Sequence, residues 1–458
     1  MRALIFCSAA LLGACSVTPR LELPAAPVAA SYPVLQGGVA ADIPAARSLA
    51  WKQVYGDPRL QALIGQALEQ SRDLRAALLS VEAARAERGV ARAALGPDIA
   101  ASLARTQERS PTQGRTDAFA ANLGLTAFEL DLFGRLRAQS GAAYERYLAS
   151  ETGARSARIA LISAVATAYL DERLAQEQLA LTEATLSDWR ASLDIAQRLK
   201  SASQASGLDV AQAEGMVRQA EADREAGRRT LARARNALEL VVGAPEPGPL
   251  PPPISLADQP LPTQLEPGLP AELLVRRPDI AQAEHMLRAA NADVGAARAA
   301  LLPRISLTGA LGGASSDLGA LFDSASRAWS FAPQITQPIF RSGQLRGAVA
   351  LSKARKSLAV TAYERQIQVA FREVADGLAA QATFANQVHV QEGVAEAAAR
   401  RLQLSELRYR AGLDGRLELL DAQRTDYAAR QALLSLRHDQ LAAMVALYAA
   451  LGGGLEPT

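Results

Sequence analysis

The chain is short of cysteine, histidine, aromatic rings and long apolar runs, and each shortage removes a class of protein. Two cysteines in 458 residues, Cys7 and Cys15, leave no disulfide framework. His285, His389 and His438 are scattered without metal-ligand spacing. No nucleophile and base stand in a catalytic pattern, so no enzyme activity is expected. A net charge of +2 with no basic block argues against a nucleic-acid partner. Beyond the amino terminus the longest apolar stretch, Ile159 to Leu170, is bounded by Arg158 and Asp171 and falls short of the roughly 20 residues a membrane helix needs. If this chain crosses a membrane, it must do so with strands.

What is present is helix-forming. Hydrophobic residues make up 49% and charged residues 21%, and alanine, leucine, glutamine, glutamate and arginine recur throughout, which predicts a mostly helical protein. The opening "MRALIFCSAALLGAC" has one cation, an apolar run too short to span a bilayer, then small residues. Residues 1–14 are expected to be an export signal. Its close, "LLGAC", resembles the bacterial lipoprotein signal, which implies cleavage before Cys15 and a covalent lipid there, S-diacylglycerol plus an N-acyl chain; no other cofactor is expected. Cys7 would leave with the signal. Ser16 in place of an aspartate implies sorting to the outer membrane.

The main signal is a duplication. "GVARAALGPDIA" (89–100) returns as "GAARAALLPRIS" (295–306), and Asp73/Asp279, Ala77/Ala283, Ala83/Ala289 and Ala84/Ala290 keep the same offset of 206. A proline-rich tether (15–50) precedes the first repeat (51–242). A second proline-rich stretch (243–270) separates it from the second repeat (271–452), and 453–458 form a tail. Each repeat opens with a helix that stops at Pro97 or Pro303. The period then changes from 3.6 to 2: Ile305, Leu307, Gly309 and Leu311 alternate with Ser306, Thr308 and Ala310, and Trp329, Phe331 and Ile335 with Ser330, Gln334 and Thr336. The same alternation runs through Ile99 to Leu103 and Phe119 to Leu125. Each repeat thus offers one hairpin, about 97–130 and about 303–340, with strands of membrane length. The glycine-rich piece at 309–313 is strand and turn, not a nucleotide loop. Helical stretches of roughly 65 residues follow, about 100 Å if unbroken, each turning back near 201–209 or 411–418 into a long hairpin.

Four strands cannot close a barrel, and an open edge in hydrocarbon leaves amides unpaired at several kcal/mol each. The smallest barrels use eight strands, so other copies of the chain must complete the sheet, and the attached helices must then close a tube.

The order of phrases resembles the TolC-like outer-membrane efflux proteins, in the lipoprotein branch serving resistance-nodulation-division (RND) pumps. The most specific stretch is "LLVRRPDIAQAEHMLRAANADVGAARAALLPRISL" (273–307), supported by "FELDLFGRLR" (128–137), "QPIFRSGQLR" (337–346) and "YRAGLDGRLELLDAQR" (409–424). The resemblance implies a mainly helical fold with a membrane β-barrel part. It implies a homotrimer with a twelve-stranded barrel in outer-membrane lipid and a periplasmic helical tunnel. The partners implied are a periplasmic adaptor and an inner-membrane RND transporter, and the activity is passive export of small molecules such as drugs. An exit duct for an ABC-driven protein secretion system and a periplasmic adaptor lipoprotein are the alternatives; an adaptor would have one helical hairpin, not two.

Asp414, Glu418 and Asp421 are spaced to lie along one helix face. Two readings follow from spacing: a solvated acidic face with Asp414 capping a helix, or stacked carboxylate rings at the narrow end of a closed tube. The resemblance implies the second, with Glu418 and Asp421 at the family's constriction. Tyr409 and Gly412 keep the family's Y-x-x-G; the first repeat has Lys200 and Ser203 there. At an offset of 209, Asp209 and Gln212 are the first-repeat equivalents of Glu418 and Asp421. Some relatives lock the gate with a base at the Asp414 position, which leaves Arg416 as the substitute here.

Overall fold

The computed structural model describes residues 17–32, 50–111, 114–245, 250–262, 264–266 and 270–453. The signal segment and Cys15 lie outside these. Among the described residues the order is α1 (Trp51–Val54), α2 (Pro58–Gln70), α3 (Arg72–Ala93), β1 (Ile99–Ser110), β2 (Gly114–Leu130), α4 (Arg135–Ser201), α5 (Gly207–Val242), α6 (Pro270–Arg276), α7 (Pro278–Ala299), β3 (Arg304–Ser315), β4 (Arg327–Thr336), α8 (Gln344–Arg410) and α9 (Arg416–Ala450). The duplication is legible in the lengths. Helices α3 and α7 both have 22 residues, and α4 and α8 both have 67, about 100 Å of helix each. No helix among the described residues is long and apolar enough to cross a membrane.

Contacts divide the chain into two units. The first comprises 1–26, 79–152 and 281–366 and contains the sheet. Its four strands form an antiparallel meander in the order β1-β2-β3-β4, so β1 and β4 are its edges. Register sorts the side chains by face. Ile99 opposes Leu125, Ala101 opposes Leu123, Leu123 opposes Leu311 and Leu311 opposes Trp329. This face carries Leu103, Phe119, Phe331 and Ile335 as well. The opposite face carries Ser102, Asn122, Gly124, Ala310 and Ser330, all small or polar. Ile99, Leu103, Leu123, Leu311, Trp329, Phe331 and Ile335 are all exposed, which a water-facing surface would not tolerate in such density. The alternation predicted from sequence therefore gives the sheet one apolar, exposed face and one small, polar face.

Between Leu125 and Phe128 the β2–β3 register shifts by a bulge. Ala127 has φ +47° and its N–H donates to Thr308 Oγ1 at 3.3 Å. At the helix-bearing end of the sheet, Arg135 holds Glu129 through Nε at 2.8 Å and Nη2 at 2.6 Å, and Arg304 adds a bond at 3.1 Å. Residues 17–32, which carry Pro19, Pro24 and Pro27, form no helix or strand. Asn291 Nδ2 donates to Pro19 O at 2.9 Å, and Thr18 lies so close to Gly295 that a side chain there would collide with it.

The second unit comprises 27–78, 153–280 and 367–458. The apolar run from Ile159 to Leu170 proves to be one side of α4 packed inward, with Ile162, Val165, Ala166, Tyr169 and Leu170 buried. Asp57 caps α2 by accepting from Arg59 N at 2.8 Å; its other oxygen accepts from Tyr169 Oη at 2.6 Å and Gln259 Nε2 at 3.1 Å. Arg277, of the R-P-D-I phrase, is buried and donates to Asp279, to Glu373 at 2.8 Å and to Ala450 O at 2.9 Å. Toward the turns, Leu186, Trp189, Val217 and Ala220 form a small core with Met216 and Tyr427 against it.

Candidate functional site

The two turns of the second unit share one backbone solution. After α8, Leu413 N donates to Arg408 O (2.9 Å) and Gly412 N to Tyr409 O (3.0 Å), with Gly412 in the left-handed region at φ +71°. After α4, Gln204 N donates to Leu199 O (2.8 Å) and Ser203 N to Lys200 O (2.9 Å), with Ser203 at φ +57°. This is the Schellman ending, which glycine enters freely and a serine enters at about 1 kcal/mol. The first turn therefore keeps the geometry of Y-x-x-G without its residues.

The turns differ in how the next helix starts. Ser206 caps α5 in a reciprocal box: its Oγ accepts from Asp209 N at 3.2 Å, and Asp209 accepts from Ser206 N and Oγ, both at 2.8 Å. Those bonds, the Ser206 hydroxyl first, hold the Asp209 carboxyl below the usual range. Gly415 stands at the corresponding position of α9 and offers no side chain.

Asp414 is not on α9. It precedes the helix, so it neither continues the face of Glu418 and Asp421 nor caps the helix. Its carboxylate accepts a bidentate pair from Arg408, Nε at 2.7 Å and Nη2 at 2.8 Å, which lowers its pKa. The expected line of three acids is thus two, because the helix starts two residues later than the spacing argument assumed. Of those two, Asp421 accepts from Arg401 Nη2 at 2.5 Å. Glu418 is exposed, and no cation among the described residues lies within ion-pair distance of it.

Arg416 is only 4% exposed. Its Nη1 donates to Tyr409 Oη at 3.3 Å, with the guanidinium 5.6 Å from that ring's centre, and its Nη2 donates to Ser192 O at 2.8 Å and Ser192 Oγ at 2.9 Å. Arg416 thereby ties the second turn to α4. Gln212 lines a cavity of about 410 Å³ with Trp189, Met216, Leu417, Leu420 and Asp421. Sequence reasoning missed Ser192, Arg401 and Arg408. Arg408 had a local signal, a cation in the last turn of α8 six residues before an acid; the other two are joined only by the fold.

The family model "Outer membrane efflux protein" matches residues 63–244 and 269–453, the two repeats. The chain belongs to this family. Among relatives of the outer membrane efflux proteins, the probable efflux pump outer membrane protein TtgC of Pseudomonas putida is 42% identical, over 98% of this chain and 94% of its own length. Outer membrane protein OprJ of Pseudomonas aeruginosa is 42% identical over 97% and 94%. The open-state MtrE outer membrane channel of Neisseria gonorrhoeae superposes with a TM-score of 0.89 at 37% identity, covering 96% of this chain and 99% of that one. Like these, this efflux protein resides in the outer membrane.

Proposed function

We propose that the protein is the passive exit duct of a tripartite efflux system. It assembles as a homotrimer whose strands close a twelve-stranded barrel, is anchored by a lipid on Cys15, and takes small molecules such as drugs from a periplasmic adaptor and an RND transporter. The observation that carries this reading is the sheet: four strands, two unpaired edges, one apolar outward face and one small, polar inward face. Such a sheet is stable in hydrocarbon only when β4 of one copy pairs with β1 of the next. The helical turns then form the far end of the duct. Glu418 and Asp421 ring its narrowest point and favour cations, and Arg416, held by Ser192 and Tyr409, keeps the second turn drawn in. The chemistry required is conduction, with no covalent step.

The test is reconstitution. Crosslinking in native membranes is expected to stop at a trimer, and the purified protein is expected to conduct cations through a planar bilayer. A monomer that is water-soluble once its acyl chains are removed, and that passes no current, overturns the proposal.

A further inference from the structure

The outward face of the sheet carries charge at one end only. From Leu130 to Phe119 its residues are apolar; eleven residues of strand cover about 36 Å, or roughly 27 Å of depth at the usual tilt, which matches the apolar band of a barrel. At the loop end the same face carries Arg105 on β1 level with Phe119, and four residues beyond it Arg109 on β1 and Arg115 on β2. Arg109 and Arg115 are direct cross-strand partners. Like charges in that position repel unless an anion sits between them.

The available acids do not fill that place. Asp117, the one carboxylate of this face among the described strand residues, takes its hydrogen bonds from Arg105 at 3.3 Å and Gln107 at 2.5 Å and reaches Arg115 only through the longer-range field. Glu108 is on the lumenal face. In the β3–β4 loop, Asp317 accepts from its own Gly319 N at 3.0 Å, and Asp323 precedes a short 3₁₀ turn. Arg109 and Arg115 thus stand on the lipid side, four residues beyond the last outward ring, Phe119, at the depth of headgroups. Arginine forks match phosphate oxygens in pairs.

We propose that this patch binds the phosphate groups of outer-leaflet lipid, with Arg109 and Arg115 clamping one phosphate and Arg105 on its membrane side. The inference rests on the barrel reading above, since only a closed barrel puts this face in lipid. The test titrates the purified oligomer in neutral detergent with lipid A, with its dephosphorylated form and with inorganic phosphate, following binding by native mass spectrometry. The wild type is expected to retain lipid A, lose it at high salt, and hold the dephosphorylated lipid far more weakly. In Arg109→Gln/Arg115→Gln the half-saturating lipid A concentration is expected to rise about tenfold or more, while bilayer conductance stays unchanged. Equal binding of both lipids, unchanged binding in the variant, or displacement of lipid A by millimolar inorganic phosphate overturns the proposal. If the double variant fails to assemble, the wild type's preference for the phosphorylated lipid and its salt sensitivity decide alone. Absence of conductance in the wild type would instead strike at the barrel.

Discussion

Arg416 and Ser192 stand 224 positions apart in the chain, and the Nη2 of the first donates to both the carbonyl and the hydroxyl of the second. One guanidinium thereby joins the second turn to a helix of the first repeat. A buried cation with three acceptors is costly to remove singly. Arg416→Met is expected to free the turn and raise single-channel conductance; Ser192→Ala, which spares the carbonyl bond, should raise it less. Equal conductance in wild type and Arg416→Met removes the lock from the account.

The two α9 acids are not equivalent. Asp421 is matched by Arg401, while Glu418 faces solvent unmatched. Cation preference, read from reversal potentials in a salt gradient, is expected to fall more in Glu418→Ala than in Asp421→Ala. The double variant should conduct more than either. Unchanged conductance in the double variant rejects the constriction.

Asp171 accepts from His438 Nε2 at 2.7 Å, and Asp439 accepts from Nδ1 of the protonated ring at 3.1 Å. The Asp171 bond, opposed by burial, raises its pKa above 6.5. A raised folded-state value stabilises in full below the unfolded pKa and is lost as pH climbs through the folded one. Unfolding midpoints should therefore decline from about pH 6.5 upward, and His438→Gln should flatten that part of the profile.

Asp57 is 1% exposed and serves three donors. Asp57→Ala uncaps α2, leaves the Tyr169 hydroxyl without its acceptor and Gln259 Nε2 with only the Ile254 carbonyl, at an expected cost of about 2–4 kcal/mol. Denaturant unfolding of the detergent-solubilised protein measures it; a loss under half a kcal/mol would mean water replaces the carboxylate.

Ser203 occupies a left-handed position that Gly412 fills in the second repeat. Ser203→Gly is expected to stabilise by about 0.5–1 kcal/mol, the strain relieved exceeding the entropy added to the unfolded chain. Gly412→Ser should cost a similar amount. Equal melting of wild type and Ser203→Gly would show that the strain is relaxed elsewhere.

Periodicity made the strands legible: the run Ile305 to Leu311 alternates because its two faces meet different surroundings, and the structure keeps that alternation through all four strands. Long helices followed from composition, and the ends of α3 and α7 from the stops at Pro97 and Pro303. The turns were legible less far. Spacing alone joined Asp414 to Glu418, because nothing local reveals that the helix starts only at Arg416, with Gly415 rather than Asp414 at its cap. The Arg416–Ser192 and Arg401–Asp421 pairs depend on which helices lie side by side, information that is absent from any short window. Asp57 with Tyr169 and Gln259 was invisible for the same reason.

The extra residue in β2 at Ala127 keeps two strands of unequal count in phase. Without it, Phe128 and Leu130 would swing to the small, polar face, and Glu129 would leave Arg135 and Arg304 for the apolar one, which the proposed barrel turns to lipid. A single-codon deletion there is therefore a face-swap of the last three residues of β2 rather than a shortened strand.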